Sequence, residues 1–120
     1  MTNMSTLLTG VLVAIAVVML VKTVMGGTGA DAAAAREKIR QGAVVIDVRT
    51  PSEYASGHYP GATNIPLHDL RNRLADAGDR KKAIVVYCAS GRRSAEAAKI
   101  LAKAGFTDVT NAGGLGNLER

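Results

Sequence analysis

The longest run of apolar positions lies near the start of the chain. Residues 7–21 carry no charge and are nearly all apolar, and the run extends to residue 25 when Lys22 turns its ammonium group outward. As a helix, residues 7–25 would be about 28 Å long at roughly 1.5 Å per residue, against a hydrocarbon core of roughly 30 Å. The pattern predicts one N-terminal transmembrane helix.

The same residues allow two other interpretations. Val11–Val21 also suits the apolar core of a signal peptide, and Ala30-Asp31-Ala32 has the form of a cleavage site, so that cleavage would remove residues 1–32 and export the rest. Residues 1–10 contain no Lys or Arg, however, whereas signal peptides normally begin with positive charge. The third interpretation is a buried helix of a soluble protein. We expect a retained single-pass anchor, with the exported form as the alternative.

Gly26-Gly27-Thr28-Gly29 is a flexible linker. It divides the chain into an N-terminal anchor with its linker, residues 1–30, and one small domain, residues 31–120. The formal net charge is +5, and the basic residues are scattered among acidic ones without interleaved aromatic side chains. This composition argues against a nucleic-acid partner and fits attraction to anionic lipid or to a small anion.

Short apolar strands alternate with helical segments after the linker. Asp31 is a candidate N-cap, and Thr50-Pro51-Ser52-Glu53 combines a capping box with a proline at the first helical position. The predicted elements are, in order, a helix over 32–41, a strand over 43–48, a short helix from Thr50 that ends at Gly57, a loop with two or three extended residues over 61–66, a helical segment over 67–77, a strand over 83–88, a helix over 93–104, a strand over 107–110 and a turn-rich end over 113–116.

This alternation is typical of βαβ units, so we expect an α/β fold with a parallel sheet covered by helices on both faces. Ligands bind such sheets at the carboxyl ends of the strands, where the chain has Asp47-Val48-Arg49 and Cys88. Asp47 and Arg49 are candidates for a role in catalysis, but we expect them instead to form an ion pair or hydrogen-bond framework under the loop after Cys88. Tyr87 should point to the opposite face of the sheet, as part of the core.

Cys88 is the only cysteine of the chain and its strongest candidate for chemistry. It stands between a buried strand and a helix, where the backbone N–H groups at the helix N-terminus favour negative charge. A thiolate in such a place has a lowered pKa and is a good nucleophile. The alternative is a small buried hydrophobic residue, which is the usual role of a free cysteine.

The segment after Cys88 supports the catalytic interpretation. Its glycine tolerates a positive φ and close approach to a ligand, its serines add hydroxyl groups, and its arginines add fixed positive charge. The segment predicts an anion-binding cradle around a thiolate, made of Ala89, Ser90, Gly91, Arg92, Arg93 and Ser94. Cysteine phosphatases need an arginine where this chain has Ser94, and the shorter loop suits one sulfur atom better than a phosphate. His58 has no ligating partner at metal-binding spacing, so we expect no metal.

Four segments, in order, resemble the family of single-domain rhodaneses, which are sulfurtransferases. They are Asp47–Tyr54, Gly57–Pro66, Cys88–Ser94 and Asn111–Leu115. Within this family the chain is most similar to the small phage-shock type, which is usually exported to the periplasm. The resemblance implies a rhodanese-like parallel sheet flanked by helices, with no cofactor and no metal.

The resemblance also implies a ping-pong reaction. Cys88 would take a sulfur atom from a small sulfur-containing anion such as thiosulfate, become a persulfide, and pass the sulfur to cyanide or a thiol acceptor. Loop 89–93 would hold the persulfide, and Arg93 would help to bind the donor. Many members of the family have arginine directly after the cysteine, where this chain has Ala89. That difference favours an alternative, a membrane-tethered sulfur carrier that hands its sulfur to a protein acceptor and turns over small donors little.

Two indications compete over the side of the membrane on which the domain lies. Basic residues follow the apolar segment and none precedes it, which favours a cytoplasmic domain; they are Lys22, Arg36, Lys38 and Arg40. The resemblance to an exported type favours the periplasmic side.

Overall fold

The computed structural model describes residues 30–119. The predicted transmembrane helix over 7–25 and the apolar core of the alternative signal peptide over 11–21 fall on residues outside this range. The candidate cleavage site, Ala30-Asp31-Ala32, lies within it. Within residues 30–119, no helix has the length and apolar character that crossing a bilayer requires.

Helices and strands alternate along the described chain. The α-helices are α1 (Ala32–Arg40), α2 (Pro51–Ala55), α3 (Arg92–Lys103) and α4 (Leu115–Leu118). The strands are β1 (Val44–Asp47), β2 (Thr63–Asn64), β3 (Ile84–Cys88) and β4 (Val109–Gly114). Two 3₁₀-helices lie between β2 and β3, over Leu67–Asn72 and Leu74–Ala77.

The strands form one parallel sheet in the order β2-β1-β3-β4. The two central strands pair from Val44 opposite Ile84 to Asp47 opposite Tyr87. The predicted α/β fold with a parallel sheet is therefore confirmed, and the carboxyl ends of the strands meet at one edge. Cys88 lies at that edge, opposite Gly114 of β4.

Side chains of the strands alternate between the two faces of the sheet. On one face, Val86 and Cys88 belong to a core cluster that includes residues of α3 and of both 3₁₀-helices. On the other face, Val85 and Tyr87 pack with residues of α1 and α4. Tyr87 is fully buried, which confirms its predicted place in the core on the face opposite Cys88.

The predicted helix starts are confirmed in their local detail. The Asp31 side chain caps α1 by accepting a hydrogen bond from the Ala34 N–H group at 3.0 Å. At α2, Thr50 and Glu53 form the reciprocal capping box, with Pro51 in the first turn. These bonds satisfy N–H groups that the first turn of a helix otherwise leaves open.

The end of the chain differs from the prediction. The last strand is not 107–110 but Val109–Gly114, and a four-residue helix, α4, follows where a turn was expected. Asn111 pairs with Val86 and Gly113 with Tyr87, so Ala112 is an extra residue in a β-bulge. The strand continues through two glycines because they pair with β3. The prediction missed this extension because the local sequence does not show that pairing.

Candidate active site

Cys88 ends the central strand β3, and its side chain is fully buried on the face covered by α3. The chain then turns sharply through Ala89 and Ser90 to Gly91, the N-cap of α3. Gly91 has a φ of +102°, a left-handed conformation that favours glycine. The turn brings the start of α3 over the sulfur atom.

The sulfur of Cys88 lies within hydrogen-bond reach of this turn. The Gly91 N–H group donates to Sγ at 2.9 Å. The hydroxyl of Ser94, which is buried, lies 3.4 Å from Sγ and donates to the Gly91 carbonyl at 3.1 Å. The structure thus brings two residues of the predicted cradle, Gly91 and Ser94, to the sulfur.

The pKa of Cys88 is lowered from the ordinary thiol value of 9.0. Burial is the largest single influence and raises the pKa, but the hydrogen bonds together outweigh it. They come from the Ser94 hydroxyl and from the backbone N–H groups of Ser94, Gly91 and Ser90. The surroundings of Cys88 therefore favour the thiolate, which is the nucleophilic form of cysteine.

The backbone of β4 supports the loop from its other side. A Cβ atom at Gly114 would lie 2.5 Å from the carbonyl oxygen of Ala89, and one at Gly91 would lie 3.3 Å from Cα of Gly113. There is no space for a side chain at Gly114. The glycines at the end of β4 therefore act through the close backbone approach that they permit.

Arg93 forms an ion pair that the sequence analysis did not anticipate. Its Nη1 and Nη2 atoms donate to Oε1 and Oε2 of Glu53 at 2.7 and 2.9 Å. The Arg93 and Glu53 side chains remain 35% and 34% exposed. Hydrogen bonds from Arg93 lower the pKa of Glu53 to about 2, so the carboxylate stays charged at neutral pH. The ion pair joins the start of α2 to the start of α3.

Three residues of the predicted cradle are exposed at the surface, namely Ala89, Ser90 and Arg92. Arg93 is less exposed than these three residues, and its pKa is raised first by hydrogen bonds to Glu53 and, more weakly, by the charges of Glu53 and Cys88. The Arg93 guanidinium therefore lies within electrostatic range of the thiolate.

Asp47 and Arg49 form the predicted ion pair, with a distance of 2.7 Å from Arg49 Nη2 to Asp47 Oδ2, and both are buried. The Tyr87 hydroxyl donates to Asp47 at 2.7 Å, and Arg49 donates to the Gly57 carbonyl at 2.7 Å. Because side chains alternate along β1, Asp47 lies on the face of Tyr87 and not on that of Cys88. The pair therefore holds the turn after α2, rather than the loop after Cys88.

A groove of about 330 Å³ adjoins Arg93, between α3 and the first 3₁₀-helix. Its volume suits a small molecule. The lining includes the apolar side chains of Val48, Leu67 and Ile100 and the charged side chains of Arg71, Arg93 and Glu96.

His58 has a structural place. Its ring stacks on that of Tyr54 with 3.7 Å between centroids, and its Nδ1 lies 2.9 Å from the Tyr54 carbonyl oxygen. In the part of the chain that the structure describes, no three His, Cys, Asp or Glu side chains are grouped as metal ligands would be.

Sequence reasoning missed Glu53 as a part of the site. The capping box fully explained this residue, and 40 positions separate it from Arg93. One signal was available: Glu53 and Arg93 carry opposite charges, and each lies within six positions of the end of one of two neighbouring strands. The groove residues Arg71 and Glu96 belong to no motif, so only the folded structure reveals them.

Comparisons with known proteins agree with this geometry. The family model for the rhodanese-like domain matches residues 31–116. Thiosulfate sulfurtransferase PspE of Escherichia coli is 48% identical over 71 residues, which cover 58% of this chain and 68% of that protein. Thiosulfate sulfurtransferase GlpE of Pseudomonas syringae is 39% identical over 74 residues, covering 62% and 69%. A solved structure described as rhodanese with anions from E. coli shares 45% identity, with a TM-score of 0.59, and covers 62% of this chain and 88% of that one.

Proposed function

Because this chain belongs to the family of rhodanese-like domains, we propose that Cys88 is the nucleophile of its sulfur-transfer reaction. The protein is a sulfurtransferase of the rhodanese type. The observation that carries the assignment of Cys88 is the 2.9 Å hydrogen bond from the Gly91 N–H group to its sulfur. Cys88 is also the only cysteine of the chain, so no other thiol is present to carry sulfur.

In the first half-reaction, the Cys88 thiolate attacks the outer sulfur of a donor such as thiosulfate. A bond forms between the two sulfur atoms, the S–S bond of thiosulfate breaks, and sulfite leaves with the electron pair of that bond. The product is a persulfide on Cys88. No external oxidant is needed, because the transferred sulfur keeps its oxidation state when it moves from thiosulfate to Cys88.

In the second half-reaction, cyanide or a thiolate attacks the terminal sulfur of the persulfide. The persulfide bond breaks, and Cys88 leaves as a thiolate. The lowered pKa of Cys88 assists both halves, because it increases the thiolate fraction for the attack and makes Cys88 a better leaving group.

The loop stabilises the persulfide, whose terminal sulfur carries negative charge. The backbone N–H groups of residues 89–93, at the start of α3, face the developing negative charge. Because they are already in place, they need not reorient during the reaction. Arg93 attracts the anionic donor. An arginine has five N–H donors, of which Glu53 occupies two, so the others are free to bind donor oxygen atoms.

Intact-protein mass spectrometry tests the role of Cys88. The purified chain is measured before and after incubation with thiosulfate in the absence of reductant. We expect a gain of one sulfur atom, which cyanide or a thiol removes, and no gain for Cys88→Ala. Cys88→Ser, which nearly preserves the size of the side chain, should also lose sulfur transfer. Transfer by either variant would refute the assignment.

A sulfur carrier with slow turnover of small donors is the second candidate function. It is favoured by Ala89, which is exposed and offers no charge at the mouth of the loop. Steady-state turnover with thiosulfate and cyanide separates the two. A persulfide that forms readily but turns over negligibly with cyanide would support the carrier, and rapid turnover would reject it.

We further propose that residues 7–25 anchor the protein in a membrane, because their sequence is apolar and nearly uncharged. Membranes prepared from cells should retain the protein after an alkaline wash. Protease added to intact and to lysed spheroplasts then shows whether the domain lies on the periplasmic or the cytoplasmic side. A soluble protein whose first residue follows residue 32 would support the exported form instead.

A further inference from the structure

We infer that the groove beside Arg93 binds the sulfur acceptor, and that this acceptor is a small zwitterionic thiol with one carboxylate and one ammonium group. The inference rests on the proposed function, since it names the acceptor of the Cys88 persulfide. It depends on three observations: the position of the groove, its charges and its size.

The groove adjoins the reactive loop. Arg93 lines the groove and comes two residues after Gly91, whose N–H group donates to the Cys88 sulfur at 2.9 Å. Val48 also lines the groove, shares a core cluster with Cys88, and donates its N–H group to the carbonyl of Tyr87 at 3.1 Å. One end of the groove therefore lies close to the sulfur atom that would be transferred.

Two charged side chains of the groove have no ion-pair or hydrogen-bond partner among residues 30–119. Arg71 projects from the first 3₁₀-helix and Glu96 from α3, both are exposed, and they do not pair with each other. Arg93, by contrast, is paired with Glu53. The groove thus offers one uncompensated positive charge and one uncompensated negative charge on opposite walls.

A zwitterionic ligand matches this arrangement. Its carboxylate pairs with Arg71, its ammonium group pairs with Glu96, and its carbon atoms contact Leu67 and Ile100. A thiol with only one of the two charges pairs with either Arg71 or Glu96 and leaves the other side chain without a partner. The volume of about 330 Å³ is at the lower end of the range for small-molecule sites and fits a thiol of amino-acid size.

The transfer step is balanced without a further reactant. The bound thiol loses its proton to solvent, and its thiolate attacks the terminal sulfur of the Cys88 persulfide. A bond forms between the acceptor sulfur and the terminal sulfur, and the bond from the terminal sulfur to Sγ breaks. The acceptor leaves as a persulfide, and Cys88 returns to the thiolate.

The experiment separates loading of Cys88 from transfer. The purified chain is loaded with thiosulfate, freed of donor, checked for its persulfide by mass, and then mixed with four thiols at equal thiolate concentration. L-cysteine carries both charges, 3-mercaptopropionate only the carboxylate, cysteamine only the ammonium group, and 2-mercaptoethanol neither. We expect L-cysteine to react fastest, about fivefold faster than 2-mercaptoethanol, as partly exposed charge pairs allow.

Two variants test which side chain of the groove pairs with which charged group of the thiol. Two matched variants control for the change in net charge. Arg71→Gln should slow L-cysteine and 3-mercaptopropionate by about twofold, its share of the fivefold difference, and leave the other two thiols unchanged. Glu96→Gln should slow only L-cysteine and cysteamine. Arg73→Gln and Glu37→Gln should leave all four rates unchanged, because Arg73 pairs with Asp76 and Glu37 with Arg40, outside the groove.

Equal rates for the four thiols, or an effect of Arg71→Gln that Arg73→Gln reproduces, would overturn the inference. Binding is measured separately by NMR titration with S-methyl-L-cysteine, which accepts no sulfur. Amide signals of residues 67–71 and 96–100 should shift, and Arg71→Gln should reduce the shifts at a given ligand concentration. Absence of these shifts in the unmodified chain would overturn the inference. Failure of thiosulfate loading would instead refute the proposed function, and the titration would still decide the role of the groove.

Discussion

Arg93 and Glu53 are joined by two hydrogen bonds across 40 positions of sequence, from Nη1 to Oε1 at 2.7 Å and from Nη2 to Oε2 at 2.9 Å. Glu53 also belongs to the capping box of α2, and Arg93 lies in the first turn of α3. The ion pair therefore couples the helix after β1 to the helix after β3. It also holds the Arg93 guanidinium in one orientation.

The stability of the folded chain in acid depends on Glu53. The Glu53 carboxyl has a pKa of about 2 in the folded chain, against an ordinary value of 4.5. A lowered folded pKa contributes stability above about pH 4.5 that is lost as the pH falls towards 2. Glu53→Gln lacks this contribution and should be less stable by about 0.5–1 kcal/mol at neutral pH, with a difference that shrinks over that interval. Urea unfolding as a function of pH measures it, and parallel curves for the two proteins would contradict it.

Ser94→Ala should move the pH dependence of persulfide formation to higher pH. The Ser94 hydroxyl lowers the pKa of Cys88, so its loss leaves more of the thiol protonated at a given pH. The rate of loading with thiosulfate rises with the thiolate fraction. In the variant this rise should therefore occur at a higher pH. Rapid-quench measurements across the titration detect the change.

The control for Ser94→Ala removes a hydroxyl far from the site. Thr107 donates to the carbonyl of Arg80 at 3.3 Å, at the edge of the sheet opposite to Cys88. Thr107→Ala should leave the pH profile in place. A profile for Ser94→Ala that coincides with that of the unmodified chain would contradict the assigned role of the hydroxyl.

Gly114→Ala should displace the reactive loop. The added methyl group would lie 2.5 Å from the carbonyl oxygen of Ala89, which is backbone and cannot rotate away. We expect a loss of about 1–3 kcal/mol in the free energy of unfolding, with slower persulfide formation. Gly116→Ala is the matched control, because nothing lies within 4 Å of its Cβ position. Equal stability of the two variants would show that the loop adapts.

Tyr87→Phe should lower stability and leave the chemistry almost unchanged. The hydroxyl donates to Asp47 at 2.7 Å and accepts from the Tyr59 N–H group at 3.0 Å, so its loss deprives both of a partner. The expected cost is about 1–3 kcal/mol in the free energy of unfolding. Persulfide formation should continue at a similar rate, because the hydroxyl lies on the face opposite Cys88.

Tyr54→Phe provides the comparison for Tyr87→Phe. The Tyr54 hydroxyl makes one bond, to the Ala62 carbonyl at 2.8 Å, and the residue is only half-buried. Its loss should cost about 0.5–1.5 kcal/mol. Thermal unfolding of the two variants measures the difference, and an equal loss in both would argue against a special role for the buried network of Asp47.

The helix starts were predictable because their determinants are local. Asp31 caps α1 through a residue three positions later, and Thr50 and Glu53 satisfy each other within one turn. Strand β4 was not predictable in the same way. Its extension through Gly113 and Gly114 depends on hydrogen bonds to β3, more than 20 positions earlier in the chain.

The same distinction between local and long-range determinants applies to the candidate site. Cys88, Gly91 and Ser94 lie in one short segment, so their association is visible in sequence. Arg93 was assigned to the site, but its partner Glu53 belongs to a segment that only the parallel pairing of β1 and β3 brings near. The contact of Gly114 with the loop also requires the fold, because no sequence pattern indicates which backbone a glycine will touch.

Ala30, the first residue that the structure describes, lies beside the glycines at the end of β4 that support the reactive loop. A Cβ atom at Gly113 would lie 2.8 Å from that of Ala30, and the Asp31 N–H group donates to the Asn111 carbonyl at 2.7 Å. A Cβ atom at Gly91 would in turn lie 3.3 Å from Cα of Gly113. An acceptor protein fused ahead of Ala30 would therefore be attached at the same edge of the sheet as Cys88. The length of the connecting linker would set the effective concentration of that acceptor at the sulfur, which is highest when the linker just spans the distance.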